Sequence, residues 1–206
     1  MAKTISNIPD RDAIRKNFEG LYPSSLDALC EGIDNSFDYR PPMTPQKPGS
    51  IELTFERKGG ETHRVILADD GSGLSLDEMC NGLMIKRQQQ ANGSCGAYGT
   101  GFKSMWDYLA TNPGIISRKN GKLCWCFYNE PGEGWELDVH EEGDEGTRAV
   151  RKLWNLYAVD SHEDGTIHIM NGLKKSFDVK KLKKVLAWKY NTKIKESNVN
   201  IYVGEK

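Results

Sequence analysis

The 206-residue chain carries 29 acidic and 28 basic side chains, a formal charge of −1, with 37% hydrophobic and 28% charged residues. A chain of this length buries enough apolar surface for one domain to hold a core without metal or disulfide staples. The near balance of charge excludes a global field directed at nucleic acid or an anionic membrane, so any such partner is recruited locally or by another part of the protein.

Predicted elements follow in chain order. A short helical pattern spans Asp12 to Phe18. Tyr22-Pro23-Ser24-Ser25 then offers a helix N-cap before Leu26, Leu29, Ile33 and Phe37 repeat at helical spacing. Pro41, Pro42, Pro45 and Pro48 make a loop, and Ser50 to Arg57 and His63 to Ala68 alternate like two strands joined at Gly59-Gly60, which delivers Asp69 to the mouth of a sheet. Leu76 to Ile85 reads as a short helix, Lys86 to Tyr98 as a polar segment, and Phe102 to Leu109 as a helix again. Further strands are expected at Gly114 to Arg118, Leu123 to Tyr128, Trp135 to His140, Thr166 to Met170 and Val199 to Val203, with a Lys-rich helix from Val179 to about Tyr190. The class is α+β, in one domain over residues 1–206, with no internal repeat.

Cys30, Cys80, Cys95, Cys124 and Cys126 form no CxxC pair and lie in no His-rich neighbourhood, which predicts reduced thiols rather than zinc. The opening residues lack the apolar stretch of a signal peptide, and no apolar run approaches a membrane span. An intracellular protein, cytoplasmic or nuclear and without a membrane partner, is the expectation.

Four motifs carry candidate chemistry. In Glu31-Gly32-Ile33-Asp34-Asn35 the Glu31 carboxylate and Asn35 amide, four apart, share a helical face; one can act on water while the other offers magnesium an uncharged oxygen. The same stretch also reads as a solvated acidic face of Asp27, Glu31, Asp34 and Asp38. Asp69-Asp70-Gly71-Ser72-Gly73 follows an apolar strand, where a carboxylate can accept from an adenine amine and glycines admit a flat ring, or where an ordinary Asp-Gly turn can sit. Gly96-Ala97-Tyr98-Gly99-Thr100-Gly101-Phe102-Lys103-Ser104 opens into a helix whose free amides can hold phosphates; it has neither Walker nor Rossmann spacing, and the alternative is a hinge with a solvated Lys103. Gly165-Thr166 leads into a strand able to place Thr166 beneath a base, with Gly146-Thr147 as a rival match that no clear strand follows.

In order and spacing these four resemble the signatures of the GHKL superfamily of DNA gyrase B, MutL, MORC proteins and the ninety-kilodalton heat-shock chaperone. Glu31 to Ser36 looks like the gyrase B helix, whereas Tyr98 to Ser104 and Gly165 to Leu173 look most like MORC-type ATPases. The resemblance, over roughly Leu26 to Leu173, implies a Bergerat fold, a two-layer sandwich of helices over a mostly antiparallel mixed sheet. It implies an Mg-dependent ATPase that binds ATP (or ADP or an analogue), with Glu31 as general base, Asn35 as magnesium ligand and Asp69 as adenine reader. Gly71, Gly73 and Thr166 would flank the base. Lys86, Gly96, Gly99, Thr100, Gly101, Phe102 and Lys103 would bind the nucleotide, the amides of Phe102 and Lys103 meeting phosphates, and a lid at about 86–98 would couple ATP to homodimerisation. Relatives receive a basic residue on the γ-phosphate from a following domain, so the chain is expected to be the N-terminal part of a longer protein, slow on its own, with DNA or chromatin reached through other domains. Alternatives are a non-hydrolysing nucleotide sensor, a chaperone-type ATPase domain, and a histidine kinase, for which none of His63, His140, His162 and His168 sits on a suitable helix. The lysines at 174, 175, 180, 181, 183 and 184, near Trp188, read as a solvated helix face.

Overall fold

The structure, a computed structural model, describes residues 3–7, 21–38, 47–83, 101–128 and 135–206. The helical pattern at Asp12 to Phe18, the proline loop at 41–45, and Lys86, Gly96, Gly99 and Thr100 of the expected lid and phosphate loop lie outside the described residues. Among those described the order is β1 (Lys3–Asn7), α1 (Ser25–Asp38), β2 (Gly49–Lys58), β3 (Glu61–Asp69), α2 (Leu76–Leu83), α3 (Gly101–Leu109), β4 (Ala110–Lys119), β5 (Lys122–Phe127), β6 (Trp135–Glu141), α4 (Thr147–Tyr157), β7 (Gly165–Leu173), α5 (Val179–Ser197) and β8 (Val199–Glu205).

The strands form one sheet in the order β1-β6-β5-β4-β7-β3-β2-β8. Every neighbouring pair is antiparallel except β2 with β8. Side chains alternate between faces along a strand, and the sequence uses both. Ile51, Leu53, Phe55, Val65, Leu67, Ile115 and Met170 point into a core shared with Leu29, Ile33, Met79, Met105, Leu109, Leu182 and Leu186 of the helices. Ile66, Ala68, Ile116, Trp125, Ile167 and Ile169 point the other way, onto Val150, Trp154 and Tyr157 of α4. The expected layer of helices over a mostly antiparallel mixed sheet is therefore what forms, with one helix added on the opposite face.

Three helix starts follow from local side-chain chemistry. Ser24 caps α1, accepting from the Asp27 amide at 3.3 Å while its hydroxyl donates to the Asp27 carboxylate at 2.6 Å. Ser75 and Glu78 make a reciprocal capping box at α2: the Ser75 amide donates to Glu78 at 2.8 Å and the Glu78 amide to Ser75 Oγ at 3.3 Å. Lys119 bonds the same carboxylate, and that bond, with those from Ser75, holds Glu78 down at about 2. Asp178 caps α5 through the Lys181 amide.

Gly32 lies inside α1. A glycine inside a helix costs up to ~1 kcal/mol relative to alanine, yet a Cβ there would lie 2.5 Å from Leu67 Cδ2 and 2.8 Å from Met105 Sδ. It is the contact point that lets α1 lie close to β3 and α3.

Candidate functional site

Register builds the floor of the site. Asp69, at the end of β3, pairs with Thr166 of β7, and Thr166 pairs with Ser117 of β4. Alternation puts all three on the helix-covered face, where all three are buried. The result is a polar row in an otherwise apolar layer, and buried polar groups persist only when hydrogen-bonded. Asp69 Oδ2 accepts from Ser36 Oγ of α1 at 2.8 Å, and Asp69 Oδ1 accepts from the Gly71 amide at 2.9 Å. Ser117 Oγ lies 3.0 Å from Thr166 Oγ1 and 2.8 Å from the Gly165 carbonyl, and it accepts from the Leu74 amide at 2.8 Å. These bonds fix the plane of the Asp69 carboxylate, whose oxygens each accept more than one bond, so a bound amine can be added to an oriented acceptor.

The turn after Asp69 is shaped by close backbone approach. Gly73 has φ +61°, and a Cβ there would sit 1.8 Å from the Arg118 carbonyl oxygen. A Cβ at Gly165 would sit 2.2 Å from the Asp69 carbonyl oxygen. The two glycines let β3, its following turn, β4 and β7 meet at van der Waals distance, so the Asp-Gly pattern here is more than a surface turn.

Helix α1 closes the floor and carries the first motif. Ser36 reaches Asp69, Asn35 is half-buried beside it, and Glu31 is half-buried one turn earlier. Burial raises the Glu31 carboxyl above the ordinary carboxylate range, with Asp34 and Asp38 adding to the effect and Lys189 opposing it. A carboxylate whose proton affinity is raised in this way is a stronger base than an ordinary exposed one. The acidic stretch is divided in use: Asp34 and Asp38 turn to α5, where Lys193 lies 3.4 Å and 3.5 Å from them and Lys189 lies 3.7 Å from Asp34.

Helix α3 supplies the other wall. It begins at Gly101, so the amides of Gly101, Phe102 and Lys103 stand in its first turn, where backbone donors have no helical partner. Lys103 is not the solvated residue of the hinge alternative. Its ammonium is buried and donates to the carbonyl of Leu83, the last residue of α2, at 3.1 Å, and burial lowers it to about 8. Its side chain braces α2 against α3, leaving its amide as the group at the helix start.

Sequence reasoning missed Ser36, Ser117 and Tyr22. Tyr22 Oη lies 2.7 Å from Ser104 Oγ, and burial raises its hydroxyl, with the Glu31 charge adding to the effect. Ser36 adjoins the first motif and Ser104 ends the third, so adjacency could have flagged both; Ser117 and Tyr22 have no local signal. The rival Thr147 opens α4 rather than a strand. The histidines lie on β3, β6, the turn before β7, and β7, with none on a helix.

For a metal, the described residues hold no group of three His, Cys, Asp or Glu. The single amide oxygen of Asn35 fits magnesium, which takes few protein ligands and completes its shell from phosphate and water, better than it fits a dedicated protein cage.

The family described as histidine kinase-, DNA gyrase B-, and HSP90-like ATPase matches residues 23–166, more than half of the chain. The span takes in Glu31, Asn35, Asp69, Gly71, Gly73 and Lys103 and ends on Thr166. No curated protein matches the chain.

Proposed function

Because the chain belongs to the histidine kinase-, DNA gyrase B- and HSP90-like ATPase family, for which ATP is the bound nucleotide, we propose that it hydrolyses ATP at the site between α1, α3 and the Asp69-Thr166-Ser117 row. The observation that carries this reading is that one helix contributes both ends of the chemistry. Ser36 of α1 orients the Asp69 carboxylate, and Glu31, five residues earlier, is a half-buried carboxylate with raised proton affinity. In this reading Asp69 accepts from the adenine amine, Gly71, Gly73 and Thr166 border the ring, and the first amides of α3 meet the phosphates. Glu31 takes a proton as water attacks the γ-phosphorus, and the bond to the ADP oxygen breaks. Asn35 would hold magnesium, which neutralises phosphate charge when bound.

The finer parts of the proposal rest on the resemblance rather than on the described residues. They are a MORC-type or chaperone-type relationship, a lid at about 86–98, ATP-dependent homodimerisation, contact with DNA or chromatin through other domains, and a slow rate for this chain alone. The decisive experiment compares wild type with Glu31→Gln in ATP binding and phosphate release. Retained binding with turnover lowered about 100-fold or more fits loss of a general base, and wild-type turnover should rise with pH through a value above the ordinary carboxylate range. Binding with no turnover in wild type would assign the chain to the sensor class, and equal turnover in both would remove Glu31 from the chemistry.

A further inference from the structure

Beyond residue 166, where the family match ends, α5 presents a surface that the nucleotide site does not use. Its nineteen residues hold seven lysines and one glutamate, a strong local excess in a chain of net charge −1. Val179, Leu182, Leu186 and Tyr190 bury one face, and Lys189 and Lys193 turn to Asp34 and Asp38. On the opposite face Lys181, Lys184, Trp188 and Lys195 recur at three- to seven-residue steps that fall on one line, and all four are exposed. Trp188 is 83% exposed, the most of any large hydrophobic side chain described. Lys181, Lys184 and Lys195 have no ion-pair partner among the described residues.

We infer that this outer face of α5 binds single-stranded nucleic acid, with Trp188 stacking on a base and the lysines on either side meeting phosphates. Lys181 to Lys195 spans about 21 Å at 1.5 Å per residue, the length of a few extended nucleotides. Charge complementarity selects a polyanion, and the aromatic selects its kind. Trp188 stands alone among cations, so an apolar protein surface would gain one ring, whereas a single ring is what base stacking uses. An interfacial membrane helix needs an outward apolar face, and the apolar face of α5 is already buried in the domain.

The test uses the whole chain with ATP saturating, so that an oligonucleotide cannot report through the nucleotide site, and follows the anisotropy of a labelled oligothymidylate. Wild type should bind, with affinity falling as salt rises by a log–log slope of about −0.7 per phosphate neutralised. Trp188→Ala should weaken binding about 5- to 100-fold, Trp188→Phe should recover part of it, and Lys181→Glu with Lys184→Glu should flatten the salt dependence. Lys122→Glu, an exposed lysine on β5, should change neither. No binding by wild type, equal binding by Trp188→Ala, or displacement by polyglutamate as effective as by unlabelled oligothymidylate would overturn the inference, the last in favour of an acidic protein partner.

Discussion

Replacing Asp69 by asparagine keeps the shape of the side chain and changes what one of its two ends can do. The Gly71 amide needs an acceptor at 2.9 Å, so the new carbonyl oxygen takes that place and the new NH2 group faces Ser36. Ser36 can absorb the change, because its hydroxyl also lies 3.1 Å from the Gly32 carbonyl; it turns its proton there and accepts from the amide. The folding cost is therefore that of one exchanged hydrogen bond, about 1 kcal/mol. A ligand amine fares worse, since it meets a donor where a charged acceptor stood. A hydrogen bond to a charged group is worth about 1.5–3 kcal/mol, which converts to a loss of about 10- to 150-fold in ATP affinity. Discrimination against guanine nucleotides, whose ring carries a carbonyl at that edge, should shrink at the same time. Calorimetric titration with a non-hydrolysable ATP analogue and its guanine counterpart, beside a denaturant melt, reads all three quantities. Unchanged affinity and selectivity in a stable variant would refute contact between Asp69 and the base, and a large loss of stability would refute the Ser36 exchange.

Two further substitutions probe the frame around the site. Gly73→Ala puts a Cβ 1.8 Å from the Arg118 carbonyl at a φ of +61°; the left-handed backbone alone costs about 1–2 kcal/mol, and the clash adds to it, so denaturant unfolding should show a loss of at least about 2 kcal/mol. Little change would mean that the turn relaxes freely. Lys103→Met tests a proton-linked term. Burial lowers Lys103 to about 8 from 10.5, so between those values the unfolded chain holds a proton that the folded chain does not, and this group makes stability rise with pH. Cys124 and Cys126, pushed up to about 12, act in the opposite direction. The measurement is therefore the wild-type minus variant difference in unfolding free energy across alkaline pH, which should grow between pH 8 and 10.5; a flat difference would contradict the burial argument.

Most of the fold was legible because its strands and helices keep clean periods. The β2–β3 hairpin declared itself by alternation around Gly59-Gly60, and α1 by its cap and its four-residue apolar repeat. Helix α4 was not legible, since it starts at Gly146 with no side-chain cap, and its apolar Val150, Trp154 and Tyr157 make sense only once a second sheet face exists for them to cover. Strand β1 contributes a single apolar residue in Lys3–Asn7 and is defined by pairing with β6. Helix α5 runs seven residues past the expected end at Tyr190, to Ser197, because Lys193 pairs with α1 and Asn198 supplies a left-handed C-cap. The motif residues could be singled out by spacing, whereas Ser117 and Tyr22 join the candidate site only by register and packing, which no local pattern encodes. Gly32 shows the limit of propensity, since its helical cost is set against a contact with Leu67 and Met105.

The α1–α3 site is proposed to take ATP with the help of magnesium held by Asn35. Titrating the wild-type chain with a non-hydrolysable ATP analogue, in the presence and absence of magnesium and beside Asn35→Ala, tests it most directly. Magnesium should strengthen binding in wild type and leave it unstrengthened in the variant; no binding by wild type under either condition, or equal magnesium assistance in both proteins, would contradict this reading.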